Sequence, residues 1–234
     1  MGEKFTTILW DVDNTLLDFD YSMRNSLKQC FLTVGITDSD EMIKRYAEIN
    51  DMYWKKLERG EVTKAQLLVG RFQDLLKEFH MEHIDYIKFK EEFQANLGTI
   101  YSYFDDSLTI CKSLQLKYRQ CIVTNGVAHT QRSKLGLSGF RDVMKELFIS
   151  DEIGFNKPDK RFFEYCLEHI EEKDKEKILI VGDSLTSDIK GGNSVGIKTC
   201  WYNPTDKPLN DEYKVDYMIR DLHDIYEVLE MFKY

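Results

Sequence analysis

Short apolar runs recur along the chain, at Thr6–Trp10, Cys121–Thr124, Leu147–Ser150, Ile178–Val181, Ile197–Trp201 and Tyr217–Ile219. Several are rich in Ile and Val, and most end in Asp, Asn, Gly or Ser, the signature of buried strands. Helical patterns such as Leu108–Tyr118 and Lys160–Ile170 lie between them. Alternation of this kind predicts an α/β fold, a parallel sheet with helices on both faces. One connection departs from the rhythm. The first strand ends near Asp11 and the next begins near Cys121, a far longer gap than the ~30 residues of a whole βαβ unit. Four helices fill it: Tyr21–Val34, Ser39–Arg59, Thr63–His80 and Ile84–Tyr103, each starting near a Ser, Thr or Asp able to cap it. Leu67, Leu68, Phe72, Leu75, Leu76 and Phe79 form one apolar stripe. The chain therefore divides into a core of residues 1–17 and 104–234 and an all-helical insertion of residues 18–103.

Composition narrows the partners. Among 234 residues, 32 Lys and Arg face 41 Asp and Glu, a formal net charge of −9. A nucleic-acid polymer draws its affinity from an excess of basic residues, which is missing here. Five cysteines are spread widely and never paired as C-x-x-C, which argues against zinc sites and disulfide frameworks and for a reduced, cytoplasmic setting. No run approaches the ~18 apolar residues of a membrane span. Gly2 to Thr6 fit the myristoylation pattern, but Thr6 already opens a strand, so membrane attachment is not expected.

Ligands of open α/β sheets bind beyond the carboxyl ends of the strands. The first strand is followed there by Asp11-Val12-Asp13-Asn14-Thr15, and the second ends in Thr124-Asn125-Gly126. The third leads to Gly154-Phe155-Asn156-Lys157-Pro158-Asp159, and the fourth to Gly182-Asp183-Ser184 with Asp188 beyond. Four acids, a hydroxyl and a lysine thus converge on one edge. Crowded carboxylates repel, and Mg²⁺ relieves them because it takes a few carboxylates and completes its shell with water and phosphate oxygens. Lys157 and Thr124 supply a cation and a hydroxyl for phosphoryl oxygens, and Asp is a known nucleophile through an aspartyl-phosphate. Taken singly, each motif has a structural reading: T-N-G as a turn, K-P-D as a helix start, G-D-S as a strand-to-helix turn. Four in this order point to a phosphatase site.

D-V-D-N-T-L-L-D-F, T-N-G, G-F-N-K-P-D and G-D-S-L-T-S-D-I-K-G-G resemble, in order, the four motifs of the haloacid dehalogenase superfamily. K-L-E-R-G-E-V-T, G-R-F and T-C-W-Y-N-P are similar to its bacterial pyrimidine 5′-nucleotidase branch, which acts on nucleoside monophosphates such as uridylate and thymidylate. The resemblance implies a Rossmann-like core with a helical cap and a small phosphate monoester as substrate. It makes Asp11 the nucleophile and Asp13 the acid and base. Asp11, the Asp13 backbone carbonyl and Asp183 become the Mg²⁺ ligands. Thr124, the Asn125 backbone and Lys157 hold the phosphoryl oxygens, and Asp188 steers a metal-bound water or Lys157. Asp13 separates the chain from the superfamily's dehalogenases, and Asn14 and Leu16 separate it from P-type ATPases.

Substrate choice falls to the cap, where Tyr53, Trp54, Arg71 and Phe72 are candidates to stack on or pair with a base, unless they form the cap's own core. His80 and His83 read as surface residues and His129 as part of a loop. Gly191 to Gly196 follow a helix and precede a strand, which fits a Gly-capped helix end rather than a dinucleotide loop. A sugar-phosphate or phosphoglycolate phosphatase, or a phosphomutase, keeps the same machinery. A non-catalytic phosphate-binding relative would lack acids that are present here. Either a monomer or a homodimer is compatible with the sequence.

Overall fold

In the computed structural model, residues 5–230 are described. Gly2, and with it the myristoylation pattern, lies outside them. The chain forms two compact units, one built from residues up to Phe19 together with those from Ser102 onward, the other from Asp20–Tyr101.

The first unit holds a single six-stranded sheet. In chain order it contains β1 (Thr7–Trp10), β2 (Arg119–Thr124), β3 (Glu146–Ile149), β4 (Ile178–Gly182), β5 (Lys198–Tyr202) and β6 (Tyr217–Ile219), arranged in space as β3-β2-β1-β4-β5-β6. All five pairings are parallel. β1 and β4 are buried at every residue, as strands covered on both faces must be. Leu9, Cys121, Val123, Ile178 and Ile180 pack on one face with Phe162, Phe163 and Cys166. On the other, the Trp10 indole donates to Gln120 Oε1 at 3.0 Å, and Gln120 Nε2 donates to the Cys111 carbonyl at 2.8 Å. The chain runs from β1 outward through β2 to β3, then returns to place β4 on the other side of β1. That reversal puts the topological switch point, where α/β sheets bind ligands, between β1 and β4.

The second unit is helical: α1 (Phe19–Thr33), α2 (Asp40–Glu58), α3 (Lys64–Glu78) and α4 (Tyr86–Leu97). Thr63 and Gln66 form a reciprocal capping box at the start of α3, and Asp85 caps α4. Ser39 makes no side-chain cap at α2. Helix α4 stops at Leu97, short of the expected Tyr103, because the chain turns at Gly98. Tyr103 instead bridges Leu17, and Asp18 N donates to the Ser102 carbonyl at 2.9 Å, so both connecting strands stay with the sheet unit.

The remaining helices belong to the sheet unit: α5 (Ser107–Leu114), α6 (Ala128–Leu137), α7 (Ser150–Ile153), α8 (Lys160–His169), α9 (Lys190–Val195) and α10 (Ile225–Glu230). Helix α6 carried no readable apolar period, because its buried face is Thr130, Gln131, Lys134 and Leu135. Gly191 and Gly192 lie within α9 rather than past its end, and only Gly196 is the left-handed cap. No helix of the described residues is long and apolar enough to cross a membrane.

All five cysteines are free and buried. Burial pushes the Cys30 and Cys121 thiols up to about 12, and those of Cys111, Cys166 and Cys200 upward as well. Reaction requires an accessible thiolate. Ellman's reagent is therefore expected to leave the thiols of the native protein unlabelled at mildly alkaline pH and to titrate all five in concentrated guanidinium chloride.

Candidate active site

Register places the first two acids. Trp10 pairs with Val181, so Asp11 emerges level with Gly182, and its N–H donates to the Val181 carbonyl at 2.9 Å. The chain then turns sharply: the amides of Thr15, Leu16 and Leu17 all donate to the Val12 carbonyl. Asn14 takes the left-handed conformation at φ 66°, which Asn tolerates better than most residues, and its side chain accepts from Phe19 N. The turn brings the buried Thr15 hydroxyl back to donate to Asp11 Oδ2 at 3.1 Å, while Thr15 Oγ1 accepts from Asp183 N at 3.1 Å. One threonine thus ties the ends of β1 and β4 together.

Lys157 sits among the acids, 3% exposed. Its ammonium donates to Asp11 Oδ1 at 2.6 Å, Asp188 Oδ1 at 2.7 Å and the Val123 carbonyl at 2.8 Å, which uses all three of its protons. Asn125 fixes the lysine backbone from both sides, accepting from Lys157 N at 2.8 Å and donating to Lys157 O at 2.9 Å. Past the lysine, Asp159 caps α8 through Arg161 N, so the K-P-D segment serves both as a site residue and as a helix start.

Asp188 reaches the cluster from a π-helical turn at Leu185–Ile189 whose first amides are held by Ser184. Its carboxylate lies directly against Gly182, where a Cβ would stand 2.3 Å from Asp188 Cγ. Only glycine leaves room for that approach.

Oxygens of Asp11, Asp183 and Asp188 lie within 4.8 Å of one another. Three carboxylates against the single Lys157 ammonium leave a formal charge of −2. Burial pushes the Asp11 carboxyl up against the pull of Lys157, with Asp188 adding to the rise. Burial, then Asp11 and Asp188, hold Asp183 well above the usual carboxylate range. Burial works against the charge on Lys157, but Asp11 and Asp188 outweigh it and raise its pKa. Among the described residues no hydrogen bond or ion pair meets the Asp183 carboxylate, though Lys207 and then Lys157 oppose its rise from a distance. This donor set fits a hard divalent cation, which would bring the cluster to neutrality with oxygen ligands alone.

The second strand end completes the group. Thr124 Oγ1 accepts from Gly126 N at 3.0 Å and from Gln131 Nε2 at 3.2 Å, and among the described residues its proton has no acceptor. Asp13 is held from α6. The Lys134 ammonium pairs with its Oδ1, and Gln131 Nε2 donates to its Oδ2 at 2.5 Å.

Asp11, Asn125, Lys157, Asp183 and Asp188 thus share one hydrogen-bonded network through Thr15 and Lys157, while Asp13 and Thr124 are joined to each other through Gln131. Thr15, Gln131 and Lys134 were not singled out from the sequence. Thr15 is signalled by its place in D-V-D-N-T, whereas Gln131 and Lys134 sit on a helix without an apolar pattern.

The candidates in the helical unit divide. Phe72 is fully buried, with ring centroids 5.2 Å from Tyr46 and 5.3 Å from Phe93, and is core rather than a stacking surface. Arg71 is 2% exposed, donates to Asn50 Oδ1 at 2.6 Å and lies over the Tyr46, Phe72 and Phe93 rings. It too belongs to the interior, where three aromatic faces surround the guanidinium while its Nε stays buried without a hydrogen-bond partner. Tyr53 donates to Asp74 Oδ2 at 2.9 Å, and Trp54 is half-buried. His80, His83 and His129 are exposed.

Sheet order, switch-point carboxylates and buried lysine define a class. The family model of haloacid dehalogenase-like hydrolases matches residues 5–196. This chain belongs to that family and is an enzyme. It is 37% identical to the HAD-hydrolase YfnB of Bacillus subtilis. A crystal structure of YfnB bound to magnesium superposes with a TM-score of 0.92, covering 97% of this chain and 99% of that one. It is 30% identical to the pyrimidine 5′-nucleotidase YjjG of Escherichia coli K12, over 97% of this chain and 98% of that protein. It is 32% identical to the pyrimidine 5′-nucleotidase PynA of Streptococcus pneumoniae, over 95% and 94% respectively.

The charge count generates a stability test. In chelator-treated protein, Asp183→Asn removes one of three crowded carboxylates and is expected to raise the melting temperature by about 2–4 °C, the shift that about 1 kcal/mol brings in a chain of this size. Differential scanning calorimetry measures it. An unchanged or lower melting point would show that the acids do not strain the metal-free fold.

Proposed function

We propose that this enzyme is a Mg²⁺-dependent phosphoric monoester hydrolase that acts on nucleoside 5′-monophosphates, pyrimidine ones such as uridylate and thymidylate foremost, through an aspartyl-phosphate. The observation that carries the reading is the buried Asp11 carboxylate, held by Lys157 and Thr15 beside Asp183 and Asp188 at the switch point of the sheet. Full-length similarity to two proteins named pyrimidine 5′-nucleotidases supports the substrate class.

Asp11, Asp183 and the Asp13 backbone carbonyl are the groups that would hold Mg²⁺, with Asp188 behind them holding Lys157. When bound, the ion supplies positive charge to phosphoryl oxygens and to the anionic cluster. An Asp11 oxygen attacks phosphorus as the bond to the leaving 5′-oxygen breaks, and Asp13 gives that oxygen its proton. Asp13 then takes a proton from the water that attacks the phosphorus of the acyl phosphate, releasing inorganic phosphate and restoring Asp11. The Thr124 hydroxyl, the Asn125 backbone and Lys157 hold the transferring group, so that most of the catalysis is positioning and charge.

Phosphate release from a panel of nucleoside monophosphates, sugar phosphates and phosphoglycolate tests this reading. Pyrimidine nucleoside monophosphates are expected to turn over fastest, with activity abolished by chelator and restored by Mg²⁺. Asp11→Asn is expected to lower kcat by at least about 10³-fold, ~4 kcal/mol of transition-state stabilisation. Faster turnover of a sugar phosphate would overturn the substrate class while leaving the chemistry, and metal-independent activity would overturn the mechanism.

A further inference from the structure

Two residues of α6 stand at the site with no role in the scheme above. Gln131 and Lys134 lie one turn apart on one face of the helix, and both are buried, at 1% and 0% exposure. A lysine is rarely taken fully out of water unless an acid meets it there. Among the described residues, the one acid paired with Lys134 is Asp13. Gln131 makes a sacrifice of its own. Its Nε2 donates to Asp13 Oδ2 at 2.5 Å and to Thr124 Oγ1 at 3.2 Å, while its Oε1 is buried without a partner. A buried acceptor left unmet is unfavourable. A carboxylate only accepts hydrogen bonds, so the amide must turn its NH₂ toward Asp13 and leave Oε1 on the other side. The backbone is shaped around this contact as well. A Cβ at Gly126 would stand 2.1 Å from Gln131 Nε2, so the glycine of T-N-G is the opening through which the side chain reaches Asp13.

Lysine and glutamine therefore converge on one carboxylate and fix both of its oxygens, with Gly126 leaving room for the glutamine. We propose that Lys134 and Gln131 are the positioning residues of the acid–base step: in the form shown they hold the unprotonated Asp13 carboxylate, and when Asp13 carries the proton it delivers they set the direction in which it meets the leaving-group oxygen. The inference rests on Asp13 being the general acid of the proposed function. Proton delivery is worth about 10²–10⁴-fold when the acid is well placed, and its value depends on the leaving group. An alkoxide needs the proton as its bond to phosphorus breaks. A p-nitrophenolate leaves without one. Misplacing Asp13 therefore harms alkyl esters far more than p-nitrophenyl phosphate.

The test measures kcat/KM, which covers the steps up to transfer of the phosphoryl group, for p-nitrophenyl phosphate and for the best alkyl monoester of the panel. Asp13→Asn, Lys134→Met, Gln131→Leu and Lys134→Arg are compared with the unsubstituted enzyme. Asp13→Asn, Lys134→Met and Gln131→Leu are expected to lose at least about tenfold more on the alkyl ester than on the nitrophenyl ester, a fraction of the general-acid contribution. Lys134→Arg, which keeps the charge, is expected to recover part of that loss. If Lys134→Met does not fold, Gln131→Leu, which leaves every charge in place, decides the matter. Equal losses on both esters for Lys134→Met and Gln131→Leu, with Asp13→Asn still selective, would overturn the positioning role alone. An unselective Asp13→Asn would overturn Asp13 as the acid, and the positioning role with it.

Discussion

The candidate site is organised around one buried ammonium. Lys157 joins the end of β1, the end of β2 and the turn after β4 through Asp11, the Val123 carbonyl and Asp188. A charge so deeply buried is tolerated only where every donor is met. The surroundings secure that condition twice over. Asn125 clamps the lysine backbone with both ends of its amide, and Gly182 leaves its Cβ position empty for the Asp188 carboxylate. Loss of Asp11 or Asp188 would leave an ammonium proton buried without its acceptor.

Lys157 does not balance the acids around it. Among the described residues Asp183 has no ion-pair partner, and this set of oxygen donors suits a hard divalent ion. Asp13 is treated differently. It has its own ammonium, Lys134, on a separate helix, although its charge still adds to the rise of the Asp11 carboxyl. Lys157 thus pairs with Asp11 and Asp188, and Lys134 pairs with Asp13.

Much of this was legible in order along the chain. Apolar runs ending in Asp, Asn, Gly or Ser marked the strands, because a strand buried on both faces must be continuously apolar, and the residues after each run named the candidate site. The long gap after β1 marked the helical unit, because its apolar residues recur at helical spacing. Boundaries were less legible: α4 was drawn to Tyr103, since nothing in periodicity reveals that the chain leaves the helix at Gly98 to bridge Leu17.

What the sequence determined by itself is the set of chemical groups and their sites on strand ends, since period and polarity are local properties. Tertiary structure decided which groups meet. Arg71 and Phe72 carry the look of ligand-binding residues, yet packing of α2, α3 and α4 takes them into an aromatic interior. Gln131 and Lys134 look like surface residues of a polar helix, yet they become the partners of Asp13. In both cases the neighbour that fixes the role comes from a distant part of the chain, and the register of a parallel sheet or the packing of a helix pair, rather than any local pattern, brings it there.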